Sequence, residues 1–568
     1  MNRFLFYTLS IAFCISATAI RAQQTSYIDL LREEPAWVDS VFNKLSKRQK
    51  IAQMFFIRAH TNMSKAFEDS VGHVIKKEKI GGLVFFQGGP GRQAILTNKY
   101  QALAKVPLLI TSDGEWGLGM RLDSTISYPY QMALGAIQDK ELIYKMGLEV
   151  AKDFKRIGMH MNLAPVVDVN NNAKNPVINY RSFGENKYNV AEKGGAYLKG
   201  MQDGGLLVSI KHFPGHGDTD VDSHYDLPQL KFTKERLDSL EMYPFKELIN
   251  EGAAGVMIAH MNIPALDQSP NMPSTLSKPI VTGILKEQLG FKGIVISDAM
   301  EMKGVVKYFK DGEADVMGVI AGNDILELSE NSKRAVKMVR QAIRDQRLTM
   351  ERIDQSVKKI LTAKYWAGLH TKQPVNEANV AAEVNRPESQ VLLQQLADAS
   401  MTMLSGKEYV QQLTPMKRTV IINIGTPDPT TFQKELETVY KNSVYYNFDK
   451  NANANAIAKV IAQIKLDDQV IIGIVDSRTR PNNNLNFSAD LKQFIGNMAK
   501  NQAVFAFFAN PYNLTNFPGL AQAKALLVAY QKESFMQKAA ASVFTNQLVP
   551  TGKLPVSVTG FFKYGDGL

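Results

Sequence analysis

From Ile51 to Ser329 the chain alternates short apolar runs with longer amphipathic segments of helical character. The runs are IAQMFFIRAH, GGLVFFQG, PLLITSDGE, MHMNLAPVVDV, LLVSIKHFPG, GVMIAHMNI, GIVISDAM and NDILELS. Apolar runs separated by helix-length connections predict parallel strands with crossover helices between them. Eight such candidates predict an α/β fold that opens with a (β/α)8, TIM-like barrel. Polar residues fall where that fold needs them: Asp113 ends the third run, Asp168 the fourth, Lys211 and His212 the fifth, His260 the sixth and Asp298 the seventh. The carboxyl ends of barrel strands build the active site, so polar groups converging there predict a pocket.

Two helical segments, roughly Ser332 to Arg344 and Met350 to Ala367, follow the eighth run. The next stretch, GLHTKQPVNEANVAAEVNRPE, is more polar, carries Pro374 and Pro387, and predicts a connection between domains. Beyond it RTVIINIG, QVIIGIVD, AVFAFFANPYNL and AKALLVAY read as buried strands separated by helical stretches such as NANAIAKVIAQIK. That is the pattern of a smaller open α/β sandwich. The predicted layout is a signal peptide over 1–22, a barrel domain over 23–375, a linker over 376–390 and a C-terminal sandwich domain over 391–568.

Composition narrows the class. Hydrophobic residues at 45% and charged residues at 21% are ordinary for a globular protein, and 568 residues suffice for two cores. The opening departs from this: Arg3, an apolar run from Phe4 to Ile20, then small residues form the layout of a secretory signal. Cleavage is expected after Ala19 or Ala22, with export to the periplasm or cell exterior. A retained anchor is the alternative, because the run sits at the short edge of what spans a bilayer. Bulky Phe13 argues against a lipid on Cys14. Cleavage removes the single cysteine, so the mature chain forms no disulfide. The formal charge falls from +11 to +9 with the loss of Arg3 and Arg21. Its basic residues are dispersed, which excludes a nucleic-acid footprint and suits either an anionic cell-wall polymer or an ordinary solvated surface.

The densest chemistry is KHFPGHGDTDVDSH, which places three of the eight histidines and three aspartates in residues 211–224. His212 and His216 are spaced i,i+4, which aligns imidazoles for zinc only in a helix, and Pro214, Gly215 and Gly217 oppose one. A calcium loop from Asp218 through Asp220 and Asp222 would need glycine at Ser223 and glutamate at Gln229. No metal and no cofactor are expected. A solvated acidic turn is the bland reading. Against it, the glycines let the backbone fold tightly beside the strand LLVSI, and Asp222-Ser223-His224 sets a carboxylate beside an imidazole. That carboxylate can accept Nδ1–H, fix the tautomer and leave Nε2 free to exchange a proton with substrate near the unperturbed histidine pKa of about 6.5. Asp298, at the end of a β-branched strand, can serve as a carboxylate nucleophile, although aspartates there also cap helices. A nucleophile with a separate proton donor is the equipment of double-displacement glycoside hydrolysis.

With these residues the chain resembles family 3 glycoside hydrolases, in particular the NagZ-type β-N-acetylglucosaminidases. The resemblance rests on KHFPGHGDTDVDSH, WVDSVFNKLSKRQKIAQMF, SDGEWGLGMR, NLAPVVDVN, NYRSFGEN and GFKGIVISDAMEM. The C-terminal PTGKLPVSV also resembles the strand that closes the second domain of two-domain members. The resemblance implies Asp298 as the nucleophile, His224 as the general acid/base and Asp222 as the residue that orients it. It implies that Asp113, Arg181, Lys211 and His212 bind the terminal sugar, and that the enzyme is exo-acting on peptidoglycan-derived carbohydrate. The loop from Asp113 to Arg121 departs from the family pattern D-x-E-G-G-x-V-x-R by Trp116, which either stacks on a sugar or packs under the loop. Arg181 has a structural ion pair as its alternative role, His216 is expected to stabilise the loop, and His260 either lines the pocket or belongs to the core. The second domain is left to shape the leaving-group side. Competing functions are an N-acetylglucosaminide phosphorylase, since a neutral histidine does not repel phosphate, a β-glucosidase, if the pocket lacks room for an acetamido group, and a non-catalytic cell-wall-binding protein. The intact Asp222, His224 and Asp298 argue against the last.

Overall fold

The computed structural model describes residues 25–222, 225–371, 373–476, 485–501 and 503–568. The expected signal peptide over 1–22 and the site residue His224 lie outside the described residues. Eight parallel strands form the first sheet: β1 (Phe55–Ala59), β2 (Gly82–Phe85), β3 (Leu109–Ser112), β4 (Met161–Asn162), β5 (Leu207–Phe213), β6 (Gly255–Ile258), β7 (Ile294–Ser297) and β8 (Leu326–Glu327). They lie in the order β7-β6-β5-β4-β3-β2-β1-β8, and a bridge between Ile296 and Ile325 joins β7 to β8 to close the ring. Each predicted run supplies one strand, so the fold is a TIM-like barrel, as expected.

The crossover helices form where side-chain caps start them and an apolar face finishes them. Ser64 accepts from Phe67 N at the start of the helix Lys65–Glu78, and Asn331 from Arg334 N at the start of Ser332–Arg344. The latter buries Ala335, Val336, Val339 and Ala342, which share one helical face, against the barrel. Outward-pointing strand residues such as Leu83, Phe85, Ile110, Val208 and Val256 meet the helices in the large core cluster. Inward-pointing residues such as Phe56, Val84, Met161 and Leu207 fill the barrel.

A second sheet has six strands: β9 (Thr402–Ser405), β10 (Thr419–Ile424), β11 (Ser443–Phe448), β12 (Gln469–Val475), β13 (Ala503–Phe508) and β14 (Ala525–Val528). The order is β11-β10-β12-β13-β14-β9, parallel except for β9, which runs antiparallel to β14. The four buried runs became β10, β12, β13 and β14. The two edge strands escaped the pattern because a half-exposed strand such as SVYYNF is mixed in polarity and TMLS is too short to stand out. PTGKLPVSV requires a correction: it is not a strand of this sheet. It runs as irregular backbone along the barrel, with Lys553 N donating to Ala136 O (3.0 Å) and Glu185 N to Pro555 O (3.1 Å). The Glu185 carboxylate accepts from Ser557 N at 2.7 Å and Ser557 Oγ at 2.6 Å. Other backbone groups of the tail bond to Met401 O and within the tail, Leu554 N to Asp566 O and Val558 N to Phe562 O, so they are divided among several partners and form no ladder.

This contact sets a testable requirement. Gly184 has φ +130°, and a Cβ there would stand 2.2 Å from Pro555 O. Gly184→Ala is expected to cost about 2 kcal/mol or more in unfolding free energy, read from urea denaturation followed by tryptophan fluorescence; an unchanged midpoint would show that the tail is not seated this way.

Candidate active site

Strands β3 and β5 are separated by β4, yet Lys211 Nζ lies 2.7 Å from Asp113 Oδ1 and 2.9 Å from Glu115 Oε1. A contact between non-neighbouring strands has to cross the barrel interior. Because side chains alternate along a strand, Thr111 and Ser209 also point inward beneath this contact. The Lys211 side chain is 2% exposed and that of Glu115 is 0%. Arg121 pairs with the other oxygen of Asp113. Arg181 grips Glu115 with two prongs, Nε to Oε2 at 2.9 Å and Nη2 to Oε1 at 2.6 Å. The ion pair considered as an alternative role for Arg181 is therefore present, and the same Nη2 lies 3.4 Å from His212 Nε2.

Burial works against every charge in this network, and the partners outweigh it. Burial raises the Asp113 carboxyl, but Lys211 and Arg121 hold it well below the usual carboxylate range. Burial likewise raises Glu115, yet Arg181 and Lys211 bring it down to about 2. Lys211, which burial alone lowers, is raised by Asp113 and Glu115 and stays cationic.

Asp168, at the end of the β4 run, organises the start of the histidine loop. Its carboxylate accepts from His216 N at 2.7 Å and His212 N at 3.2 Å, and it faces His212 Nδ1 at 2.7 Å. This arrangement places the His212 proton on Nδ1 and leaves Nε2 as the acceptor turned toward Arg181. His216 is wholly inside: Thr219 Oγ1 lies 2.8 Å from its Nδ1, and burial followed by the nearby His212 lowers its pKa to about 4, so it is neutral and braces the loop. Gly217 passes so close to the β4 connection that a Cβ would sit 1.8 Å from Val169 O. Only glycine permits that approach.

Asp298 follows β7, with its backbone N donating to Ile258 O (3.0 Å) and its Oδ1 accepting Ala299 N (2.7 Å). His260 is fully buried, with Nε2 donating to Ala299 O at 3.0 Å and Nδ1 2.6 Å from Thr275 Oγ1, so it steadies the segment that carries Asp298. The Asp222 carbonyl accepts from Tyr225 N and Asp226 N, and Asp218 pairs with Arg236 at 2.6 Å. Trp116 packs edge-on against Tyr130, 4.8 Å between centroids, and beside Tyr180. Because the strands are parallel, Asp113, Asp168, Lys211, His212 and Asp298 stand at the same end of the barrel, and Arg181 joins them from the loop after β4. The residues added by the structure are Glu115, Arg121, Asp168 as an organiser, and Glu327 at the end of β8. Glu115, Asp168 and Glu327 carried a signal, a charged side chain at or just past the carboxyl end of an apolar run, whereas Arg121 stands nine residues beyond β3 and is brought back to the site by its loop.

Comparison with known proteins gives the family of the barrel domain. Residues 46–363 match the family described as "Glycosyl hydrolase family 3 N terminal domain". The chain is 31% identical over 413 residues to Beta-hexosaminidase A of Pseudoalteromonas piscicida, covering 66% of this chain and 67% of that protein. It is 26% identical over 387 residues to a Beta-N-acetylglucosaminidase/beta-glucosidase of Cellulomonas fimi, covering 67% of this chain and 68% of that one. A solved family 3 β-N-acetylglucosaminidase from Paenibacillus sp. str. FPU-7 superposes with a TM-score of 0.77 at 30% identity, over 91% of this chain and 99% of that chain.

The ion network predicts a pH signature. The folded Glu115 carboxyl, near 2, lies below its unfolded value of 4.5, so its stabilisation is complete above about pH 4.5 and is lost as pH falls toward 2. Glu115→Gln is expected to be less stable than the parent by about 3 kcal/mol at pH 7, with the difference shrinking between pH 4.5 and 2. Urea titrations across that range check it; a constant difference would mean Glu115 is not ionised in the fold.

Proposed function

The chain belongs to glycosyl hydrolase family 3, and from that premise we propose that it is a retaining, exo-acting β-N-acetylglucosaminidase acting on peptidoglycan-derived fragments. The observation that carries the reading is the convergence, at one barrel mouth, of Asp298 with the Asp113, Glu115, Lys211 and Arg181 network, beside the loop that leads to Asp222 and His224. A fixed, buried array of donors and acceptors suits sugar hydroxyls, whose hydrogen bonds strengthen as the ring flattens and so favour the transition state over the ground state. The hexosaminidase names of the relatives support N-acetylglucosamine as the terminal sugar.

In this mechanism the Asp298 carboxylate attacks the anomeric carbon as the bond to the leaving oxygen breaks, and His224 Nε2 gives that oxygen its proton. Asp222 accepts the imidazole Nδ1–H. His224 then takes a proton from water, whose oxygen displaces Asp298 and restores the original configuration. The second domain borders the leaving-group side. Asn510 donates to Asn179, two residues before Arg181, and a cavity of about 100 Å³ opens between Tyr130, Tyr180, Gln531 and Glu533. Among the described residues no helix is long and apolar enough to cross a membrane. The opening segment supports placement in the periplasm or outside the cell, which fractionation of expressing cells reads directly. The Cellulomonas fimi relative, named for both activities, favours a second reading in which glucosides are also cleaved.

Incubation with an aryl N-acetyl-β-glucosaminide and the matching glucoside, with and without phosphate, discriminates these readings. Hydrolysis of the first is expected; release from the glucoside alone would replace the hexosaminidase reading, and a sugar 1-phosphate product would make the enzyme a phosphorylase. Asp298→Ala is expected to abolish turnover. His224→Ala is expected to spare substrates with good leaving groups far more than natural ones, and equal loss on both would remove His224 from the acid role.

A further inference from the structure

Glu327 ends β8 and is 3% exposed. The closing bridge pairs Ile325 with Ile296, so two residues further along the parallel strands Glu327 stands beside Asp298 and faces the same way. Adjacent strands lie about 5 Å apart. The backbone ties the two positions together: Glu327 N donates to Ser297 Oγ at 3.0 Å, and Met300 N donates to Glu327 O at 2.9 Å. The side chain points into the barrel, because it meets the Thr111 hydroxyl in a hydrogen bond and neighbours Asp113 and Lys211, all on strands that are not its partners in the sheet. Its Oε1 has no hydrogen-bond partner among the described residues.

The charges facing this carboxyl are already matched. Asp113 from β3 is taken by Lys211 and Arg121, Glu115 by Lys211 and Arg181, and Arg58 of β1 by Glu301. A buried carboxyl beside a second carboxylate and without a cation of its own is favoured in its protonated form. Burial, then Asp113 and Asp298, push Glu327 well above the usual carboxyl range, which makes it the protonated member.

We propose that Glu327, as a neutral carboxylic acid, is a positioning residue that donates its O–H to the Asp298 carboxylate, keeping it ionised for attack and stabilising it again when water displaces it from the sugar. The proposal rests on Asp298 being the nucleophile. A hydrogen bond to the ionised form lowers a carboxylate's proton affinity and makes it a better leaving group in the second step.

The test compares Glu327→Leu, Glu327→Met and Glu327→Gln in the full chain, each first verified by thermal melting. Glu327→Gln retains a neutral donor and is expected to keep kcat within about threefold, whereas the Leu and Met variants lose about tenfold or more in kcat with KM unchanged or lower. In the Leu and Met variants a glycosyl adduct accumulates in the intact-protein mass, and the acid limb of kcat/KM moves to higher pH; in Glu327→Gln neither change occurs. Full activity in both apolar variants, or equal loss in all three without adduct, overturns the proposal. Peptide mapping of the parent's adduct keeps the premise separate: a sugar on a residue other than Asp298 sinks the nucleophile reading itself.

Discussion

The Lys211 ammonium sits inside the barrel almost without solvent, where an unpartnered charge is costly by several kcal/mol. Asp113 and Glu115 are set on either side of it, and each then needs a cation of its own. Arg121 returns from the same loop to serve Asp113, and Arg181 arrives from the connection after β4 to serve Glu115. Neither pair closes unless β3, β4 and β5 are in register. The site and the barrel presuppose one another, and these charged groups are held in place because none can leave without stranding another.

Asp168 does for backbone what Lys211 does for side chains. One buried carboxylate gathers the amides of His212 and His216 and the His212 ring, which fixes where the 211–222 segment departs from β5. Gly217 then lets that segment press against Val169 O. The loop leading to Asp222 and His224 is thereby held at its root, so that the proposed proton donor is delivered from a stationary base.

The second domain acts on the same region from the other side. Tyr512 and Asn510 bond to Asn170 and Asn179, both on the connection that leads to Arg181, and the C-terminal tail holds Glu185 just beyond it. A strand role for PTGKLPVSV fails because its backbone partners are divided among the barrel (Ala136, Glu185), Met401 and the tail's own Phe562 and Asp566, so no ladder with one neighbouring strand forms. Its glycine and prolines suit a tail that follows another surface at least as well as they suit a strand.

Much of this was legible in order along the chain. Strands buried on both faces announce themselves as apolar runs, and a polar residue closing such a run marks the barrel mouth, so Asp113, Asp168, Lys211, His212 and Asp298 were visible as a set. The edge strands β9 and β11 were not: β11 is half-exposed, so solvent removes the constraint that makes a run apolar, and β9 is buried but only four residues long. Pairing was invisible for a different reason. That Glu115 belongs to Lys211 and Arg181, that Arg121 belongs to Asp113, and that Glu327 stands beside Asp298 depend on ring closure and strand register, which bring together residues far apart in sequence. The sequence by itself determined which strand ends carry polar groups at the barrel mouth; only the tertiary structure added Glu115, Arg121 and Glu327 to them and decided which groups share charge, because ionisation in a buried site is set by neighbours in space.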